Sequence, residues 1–236
     1  MIQGQIEIVG VRPEDRVLQF ASPSFDASLS EIFVSLLAGA SLYPVGETLR
    51  NEPWNLQAYM AGNAVSVATL PPSYLNLLDR DGYCPRVLIT AGEAPIARDA
   101  LHLAGRCEYF NAYGPTETSV CASIKRVLPD SSQPIGCGRP IPNVRAYVLD
   151  SGRRPLPAGM VGELHVGGVG LAIGYHGNAE MTARRIFPLS GAGGEMVYAT
   201  GDLASWSADG DLLLVGRTDD QVKVRGNRVE LGEVTA

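Results

Sequence analysis

Lysine is almost missing from this chain: 19 basic residues stand against 25 acidic ones, and only Lys125 and Lys223 are lysine. The net charge of -6 and the lack of any basic stripe exclude a general nucleic-acid or anionic-membrane surface. Long apolar runs are also lacking. The longest, residues 32–43, is broken by Ser35, Gly39 and Ser41 and is too short to cross a bilayer. The first seven residues lack the basic start and apolar core of a signal peptide. Cys84, Cys107, Cys121 and Cys137 form no C-x-x-C pair, which argues against a zinc site or a disulfide framework and makes a reduced, cytoplasmic protein the expectation. His102, His165 and His176 lack metal-ligand spacing, no G-x-S-x-G elbow is present, and there is neither an internal repeat nor a low-complexity tract.

What is present is a 236-residue chain with 45% hydrophobic residues, enough for a sizeable core. The opening predicts a helix end, a turn at Arg12-Pro13-Glu14-Asp15 and a strand over 16–21. From Ser28 the pattern is helical, with Leu29, Ile32, Phe33, Leu36 and Leu37 on one face, a Ser28/Glu31 capping box, and Gly39 as the stop. Apolar runs at 40–45, 65–70, 86–90 and 106–110 then alternate with amphipathic segments, predicting an α/β lobe with a largely parallel sheet. Ligands bind such sheets at the carboxyl ends of strands, where Thr69, Ile89, Ala91 and Ala112 fall. Beyond about Val127, Gly- and Pro-rich turns separate short runs at 144–149, 162–166, 197–200 and 212–215, predicting a β-rich lobe. The alternation over 221–230 predicts one half-exposed strand.

Asn111-Ala112-Tyr113-Gly114-Pro115-Thr116-Glu117-Thr118 concentrates chemistry in a predicted tight turn after Phe110. Tyr113 can stack on a purine, Asn111 can meet a base edge, and Thr116 and Glu117 can meet phosphate and Mg2+. The same residues also serve packing and punctuation at strand ends. Gly168-x-Gly170-x-x-x-Gly174 is one residue too long for a dinucleotide fingerprint and precedes no good helix.

Asn-Ala-Tyr-Gly-Pro-Thr-Glu resembles the signature of the adenylate-forming superfamily, in the spelling of the amino-acid-activating adenylation domains of nonribosomal peptide synthetases. Phe25-Asp26-Ala27-Ser28, Gly162-Glu163-Leu164 to Gly174-Tyr175, Thr200-Gly201-Asp202-Leu203 and Gly216-Arg217 to Gly232-Glu233 follow in that family's order. The resemblance implies an incomplete large N-terminal subdomain of the ANL type. Residues 1–126 would form the α/β lobe with the amino-acid pocket and adenine turn, 127–218 the β-rich lobe with the ribose-binding Asp, and 219–236 the hinge and the start of the C-terminal subdomain.

It further implies ATP, Mg2+ and an aminoacyl-adenylate that is passed to the phosphopantetheine of a carrier protein, with an MbtH-like protein as a further partner. Carried onto matching positions, Tyr113 would stack on adenine, Asn111 would meet its amino edge, and Gly92 and Glu93 would line the base. Asp202 would hold the ribose, Arg217 would reach ribose or phosphate, Thr116 would meet the α-phosphate, and Glu117 would ligate the metal. Asp219 would be the hinge. The amino-acid pocket would be Asp26, Ala27, Ser30, Thr69, Ile89, Ala91, Ala112, Val120 and Cys121, with Asp26 on the α-ammonium. Phenylalanine-activating domains usually carry tryptophan where this chain has Ser30, so tyrosine or a β-hydroxytyrosine-like residue is favoured, then phenylalanine.

Three departures qualify the resemblance. No Gly/Ser/Thr-rich phosphate loop precedes Phe25, the family's C-terminal lysine is missing, and Cys137-Gly138 lengthens the usual Ile-Gly-Arg-Pro run. A portion of a longer synthetase is expected, inactive by itself. A non-catalytic remnant is the alternative, while Asp26 and the signature's spelling disfavour an acyl- or aryl-CoA ligase.

Overall fold

The computed structural model describes residues 1–131, 134–219, 221–224 and 227–230. Helix α1 (Ile2–Val9), closed by left-handed Gly10, leads to β1 (Arg16–Gln19), α2 (Ala27–Leu37), β2 (Ser41–Pro44), α3 (Glu47–Arg50) and α4 (Pro53–Gly62). Then come β3 (Val67–Leu70), α5 (Pro72–Leu75), β4 (Val87–Thr90), α6 (Ala97–Ala104) and β5 (Glu108–Tyr113). Strands β1 to β5 are parallel in the order β2-β1-β3-β4-β5, and the antiparallel β6 (Ser123–Val127) and β7 (Arg139–Pro140) complete a seven-stranded sheet. This sheet runs through the 126/127 division expected from texture. Three of the four residues in each of β3 and β4 are buried, as expected of central parallel strands covered on both faces.

A second, antiparallel sheet holds β8 (Val144–Leu149), β9 (Gly162–Gly168), β10 (Ile186–Leu189), the long β11 (Glu195–Trp206) and β12 (Leu212–Arg217), with α7 (Ala179–Arg185) between β9 and β10. The two sheets share one core in which Val67, Phe110 and Ile124 meet Val148, Leu164 and Leu212. A bridge from Gly138 to Leu212 stitches their edges. Segment 221–230 is not one strand: β13 (Gln221–Val224) pairs antiparallel with β14 (Asn227–Glu230). Its alternation is that of two short strands in a hairpin.

Helix α2 departs from expectation in two ways. Ser28 Oγ donates to the Phe25 carbonyl and Glu31 accepts from the Ala21 amide, so no capping box forms. Leu29, Phe33, Leu36 and Leu37 do share a face, but it is exposed, whereas Ser28, Glu31, Val34 and Ser35 are the buried ones. Periodicity identifies which side chains align, not which side is covered.

Asp15 fastens the amino ends of three parallel strands. Its carboxylate accepts from the Arg12 amide, the Ser66 hydroxyl and the Arg86 guanidinium, the last at 2.6 Å. Burial pushes this carboxyl up, but Arg86, Ser66 and Arg12 outweigh it and hold the group below its ordinary value.

Candidate functional site

The parallel strands deliver short loops to one end of the sheet. Thr69 lies in β3, Ile89 in β4 with Ala91 and left-handed Gly92 just beyond, and Asn111, Ala112 and Tyr113 in β5. Strand β5 therefore extends past Phe110 through Tyr113, because Ala112 and Tyr113 pair with Ile124 and Ser123 of β6. The turn begins only at Gly114. A Cβ there would sit 2.4 Å from the Val120 carbonyl oxygen, so the close return of the chain requires glycine. Thr116–Thr118 form one 3-10 turn, followed by Ser119 and Val120 at φ 61° and 73°. Two consecutive left-handed non-glycine residues, one of them β-branched, mark local strain.

The facing wall comes from the second sheet. Tyr113 donates its hydroxyl to Asp202 Oδ2 at 2.5 Å, and Arg217 grips Asp202 Oδ1. Arg217 also donates to Asp219 through Nε (2.7 Å) and Nη2 (3.0 Å), and Arg185 reaches the same carboxylate at 3.1 Å. Burial first, then the neighbouring Asp202 charge, pushes the Tyr113 hydroxyl well up, so it stays a donor at neutral pH. Asp219 is pushed up by burial but held below its ordinary value by the two arginines, which clasp the expected hinge residue. Asp220, Arg225, Gly226, Gly232 and Glu233 lie outside the described residues.

Between the walls lies one cavity of about 740 Å³. It brings together Asp26, Ala27, Thr69, Ala91 and Val120 of the expected amino-acid pocket with Gly92, Tyr113, Thr116, Asp202 and Arg217 of the expected nucleotide site. The carboxylate of Asp26, at the start of α2, makes no hydrogen bond or ion pair among the described residues, which leaves it facing the cavity and uncommitted.

Other expected residues are not in this wall. Ile89 and Ala112 pack against the core and Cys121 is buried in it, its thiol pushed up to about 12 by burial. Asn111 spends its amide on the Gly136 carbonyl at 2.9 Å, and Glu93 accepts from the Ser73 amide. Glu117 is buried and accepts from the Tyr175 hydroxyl at 2.6 Å. No group of three or more metal-ligating side chains occurs among the described residues. One carboxylate beside a phosphate-bearing ligand nevertheless suits Mg2+, which keeps several waters.

Ser30 donates to Gln5 Oε1 at 2.6 Å, a partner on α1 that spacing could not reveal. Glu31 and Arg50, which also line the cavity, were equally invisible. Burial drives Glu31 up to about 8 although the Ala21 and Phe20 amides favour its charged form. The folded state thus keeps this proton to about pH 8, whereas the unfolded chain releases it near the ordinary 4.5. The stabilisation is complete at low pH and lost as pH rises across that window, by at most about 1.4 kcal/mol per pH unit. His165, lowered by burial, contributes the opposite slope around its ordinary 6.5 in both proteins compared. Urea unfolding of wild type and Glu31→Gln at about pH 5 and about pH 8 should show the variant gaining relative to wild type as pH rises; parallel profiles would refute the protonated Glu31.

The described residues contain no helix long and apolar enough to cross a membrane. Residues 2–176 match the family model of the AMP-binding enzymes. The chain is 45% identical over 233 residues to novobiocin biosynthesis protein H of Streptomyces niveus, covering 98% of this chain and 38% of that protein. It is 42% identical over 228 residues to tyrocidine synthase 1 of Brevibacillus parabrevis, covering 95% and 21%. Among solved structures, IdnL1 superposes with a TM-score of 0.90 at 31% identity, covering 99% of this chain and 50% of that one. The Vibrio cholerae adenylation domain AlmE, solved with glycyl-adenosine-5'-phosphate, gives 0.89 at 26% identity, covering 99% and 46%. The chain belongs to the AMP-binding enzyme family, as part of an adenylation domain of the nonribosomal-peptide-synthetase type. It spans about half or less of the proteins it matches.

Proposed function

We propose that this chain supplies the amino-acid pocket and adenosine-binding wall of a cytoplasmic ligase that joins an aromatic α-amino acid, tyrosine or a β-hydroxytyrosine-like residue before phenylalanine, to AMP. The observation that carries this reading is the single cavity in which an uncommitted Asp26 carboxylate lies in the same space as Tyr113, Asp202 and Arg217. A carboxylate without a partner suits an α-ammonium, and an amino acid held there directs its own carboxylate toward the nucleotide wall.

The reaction is attack of the amino-acid carboxylate on the α-phosphorus of ATP, with pyrophosphate leaving. This chain's residues act by position and charge rather than as nucleophiles. Tyr113, its hydroxyl fixed on Asp202, would stack on the adenine. Asp202 already accepts from Tyr113 and Arg217, but a carboxylate has about four lone-pair directions, leaving capacity for a ribose hydroxyl. Arg217 is held by two carboxylates and so is preset rather than recruited. Thr116, exposed and lining the cavity, would meet the α-phosphate, and Glu117 would hold Mg2+, which would neutralise phosphate charge. The Asn111 amide, turned to Gly136, leaves the base edge to neighbouring backbone. The acyl group would then pass to the phosphopantetheine thiol of a carrier protein as the Arg217–Asp219 clasp opens, with an MbtH-like protein as a further partner.

Amino-acid-dependent ATP–pyrophosphate exchange tests this on the 236-residue chain and on the complete gene product, with tyrosine, phenylalanine and a panel of others. Exchange by the complete protein led by tyrosine, and none by the chain alone, is expected. A complete protein that prefers a small or charged amino acid would overturn the pocket, and one inactive with every amino acid would point to the non-catalytic remnant.

A further inference from the structure

We propose that Cys84 and Cys107 are a thiol–disulfide pair, oxidised by a low-molecular-weight disulfide that enters a second cavity, with Cys84 as the attacking thiol and Cys107 as the resolving one. The site is independent of the amino-acid pocket. Its cavity, of about 350 Å³, lies between α6 and the segment 76–85 and shares only Leu70 with the nucleotide cavity. Met60, Leu88 and Leu103 give it an apolar floor, and half-buried Cys84 and Arg106 stand in its wall. Cys107 is not in that wall and packs against the core instead. Strand register brings the two cysteines together: β4 and β5 run parallel with Val87 opposite Glu108, and the Glu108 amide bonds the Arg86 carbonyl at 2.9 Å. Both are free thiols, and the Cys107 thiol hydrogen-bonds the Cys84 sulfur. Closing that contact to an S–S bond of about 2.05 Å is a short movement.

The segment that carries Cys84 is pinned. Gln57 donates to the Asp79 and Tyr83 carbonyls at 2.9 and 3.1 Å, and Arg106 donates to the Asp81 and Gly82 carbonyls at 3.1 and 2.6 Å. Arg106 thus spends its donors on carbonyls and bonds no carboxylate among the described residues, which leaves its charge to favour an anion at Cys84. The hydrogen bond from Cys107 lowers the Cys84 thiol first, and Arg106 lowers it further against burial. Cys107 is raised, first because it donates to Cys84 and then by burial. Its one proton has a second acceptor, the Leu103 carbonyl at 3.3 Å, so an ionised Cys84 decides where it points. The Cys84 thiolate attacks one sulfur of the small disulfide, forms a mixed disulfide and expels a thiolate, which takes up the proton that Cys84 had released. Cys84 then carries no charge, so the first cause holding Cys107 up is gone. Cys107 loses its proton, attacks the Cys84 sulfur and expels the second small thiolate, which takes up that proton. Two electrons pass from the cysteine pair to the small disulfide, which leaves as two thiols. In a reducing cytoplasm such a bond is a transient sensor rather than a staple. It would tie the amino ends of β4 and β5, whose other ends lead to Gly92 and Tyr113.

The test is exposure of the complete gene product to oxidised glutathione, followed by thiol alkylation and peptide mapping by mass spectrometry, for wild type, Cys107→Ala and Cys84→Ala. Wild type should yield a Cys84–Cys107 cross-linked peptide that a reductant reverses, while buried Cys121 and Cys137 stay free. Cys107→Ala should instead hold glutathione on Cys84. In that variant Cys84 should also be alkylated about three- to tenfold more slowly than in wild type at neutral pH, because its hydrogen bond is lost. Cys84→Ala should leave Cys107 unmodified. Wild type without the Cys84–Cys107 cross-link would overturn the pair, as would glutathione on Cys107 in Cys84→Ala. Equal modification of Cys121 and Cys137 would overturn it too, because the reaction would then report an opened chain rather than the cavity. Should a variant not fold, the wild-type map decides alone.

Discussion

Replacing Arg217 with alanine is expected to destabilise the 236-residue chain by about 3–5 kcal/mol and to remove nucleotide binding. Among the described residues Arg217 is the only cation on Asp202, whose side chain is 11% exposed, and it makes two of the three side-chain bonds to Asp219. Without it Asp202 remains as a buried charge held only by Tyr113, while Asp219 retains Arg185. The cost comes from stranding a charge rather than from losing a favourable pair. The double variant Asp202→Asn/Arg217→Met should therefore be more stable than Arg217→Ala alone, although equally unable to bind nucleotide. Urea midpoints measure the first effect and AMP titration the second. A single variant within about 1 kcal/mol of wild type would show that the network is not desolvated.

Asp15→Ala is expected to lose about 3 kcal/mol, far from any substrate. The substitution removes acceptors from the Arg12 amide and the Ser66 hydroxyl and one of two carboxylates from Arg86, which keeps Glu108. The sign of its pH dependence follows from the lowered carboxyl. The folded state keeps Asp15 ionised at pH values where the unfolded chain has taken up a proton, so its contribution is complete above the ordinary 3.8 and lost as pH falls through the folded value. The gap between wild type and Asp15→Asn should narrow in acid. A gap independent of pH would mean that shape rather than charge is at work there.

Much of the α/β lobe was legible because its central strands are short, continuously apolar and buried, and each is separated from the next by a helix or its start. Less was legible where polar residues find partners far along the chain. Asp15 meets Ser66 and Arg86, 51 and 71 residues away, and Tyr113 meets Asp202 across 89 residues. No local pattern encodes such pairs. The capping box at Ser28 and Glu31 fits the local sequence but loses to tertiary bonds, since Glu31 is drawn to the Ala21 amide. The 221–230 hairpin was missed because apolar–polar alternation is the same in one strand or two. At the site, the family resemblance singled out Asp26, Thr69, Tyr113, Thr116, Asp202 and Arg217, which the fold brings to one cavity, without showing that Asn111 would turn away from it or that Gln5 would stand behind Ser30.

The return of the chain at Gly114 separates two kinds of heritable change. The contact there is between main-chain atoms: the Val120 carbonyl closes on Gly114, and the Ala122 amide bonds the Tyr113 carbonyl at 2.7 Å. None of this uses the Val120 side chain, which borders the cavity. Selection, or a designer, can therefore change the side chain at 120 while the return at Gly114 keeps its shape, and glycine there would even relieve the left-handed strain. Any side chain at 114 would disturb both at once. The cavity lining at 120 is thus free to vary because the return at 114 is closed by main-chain atoms.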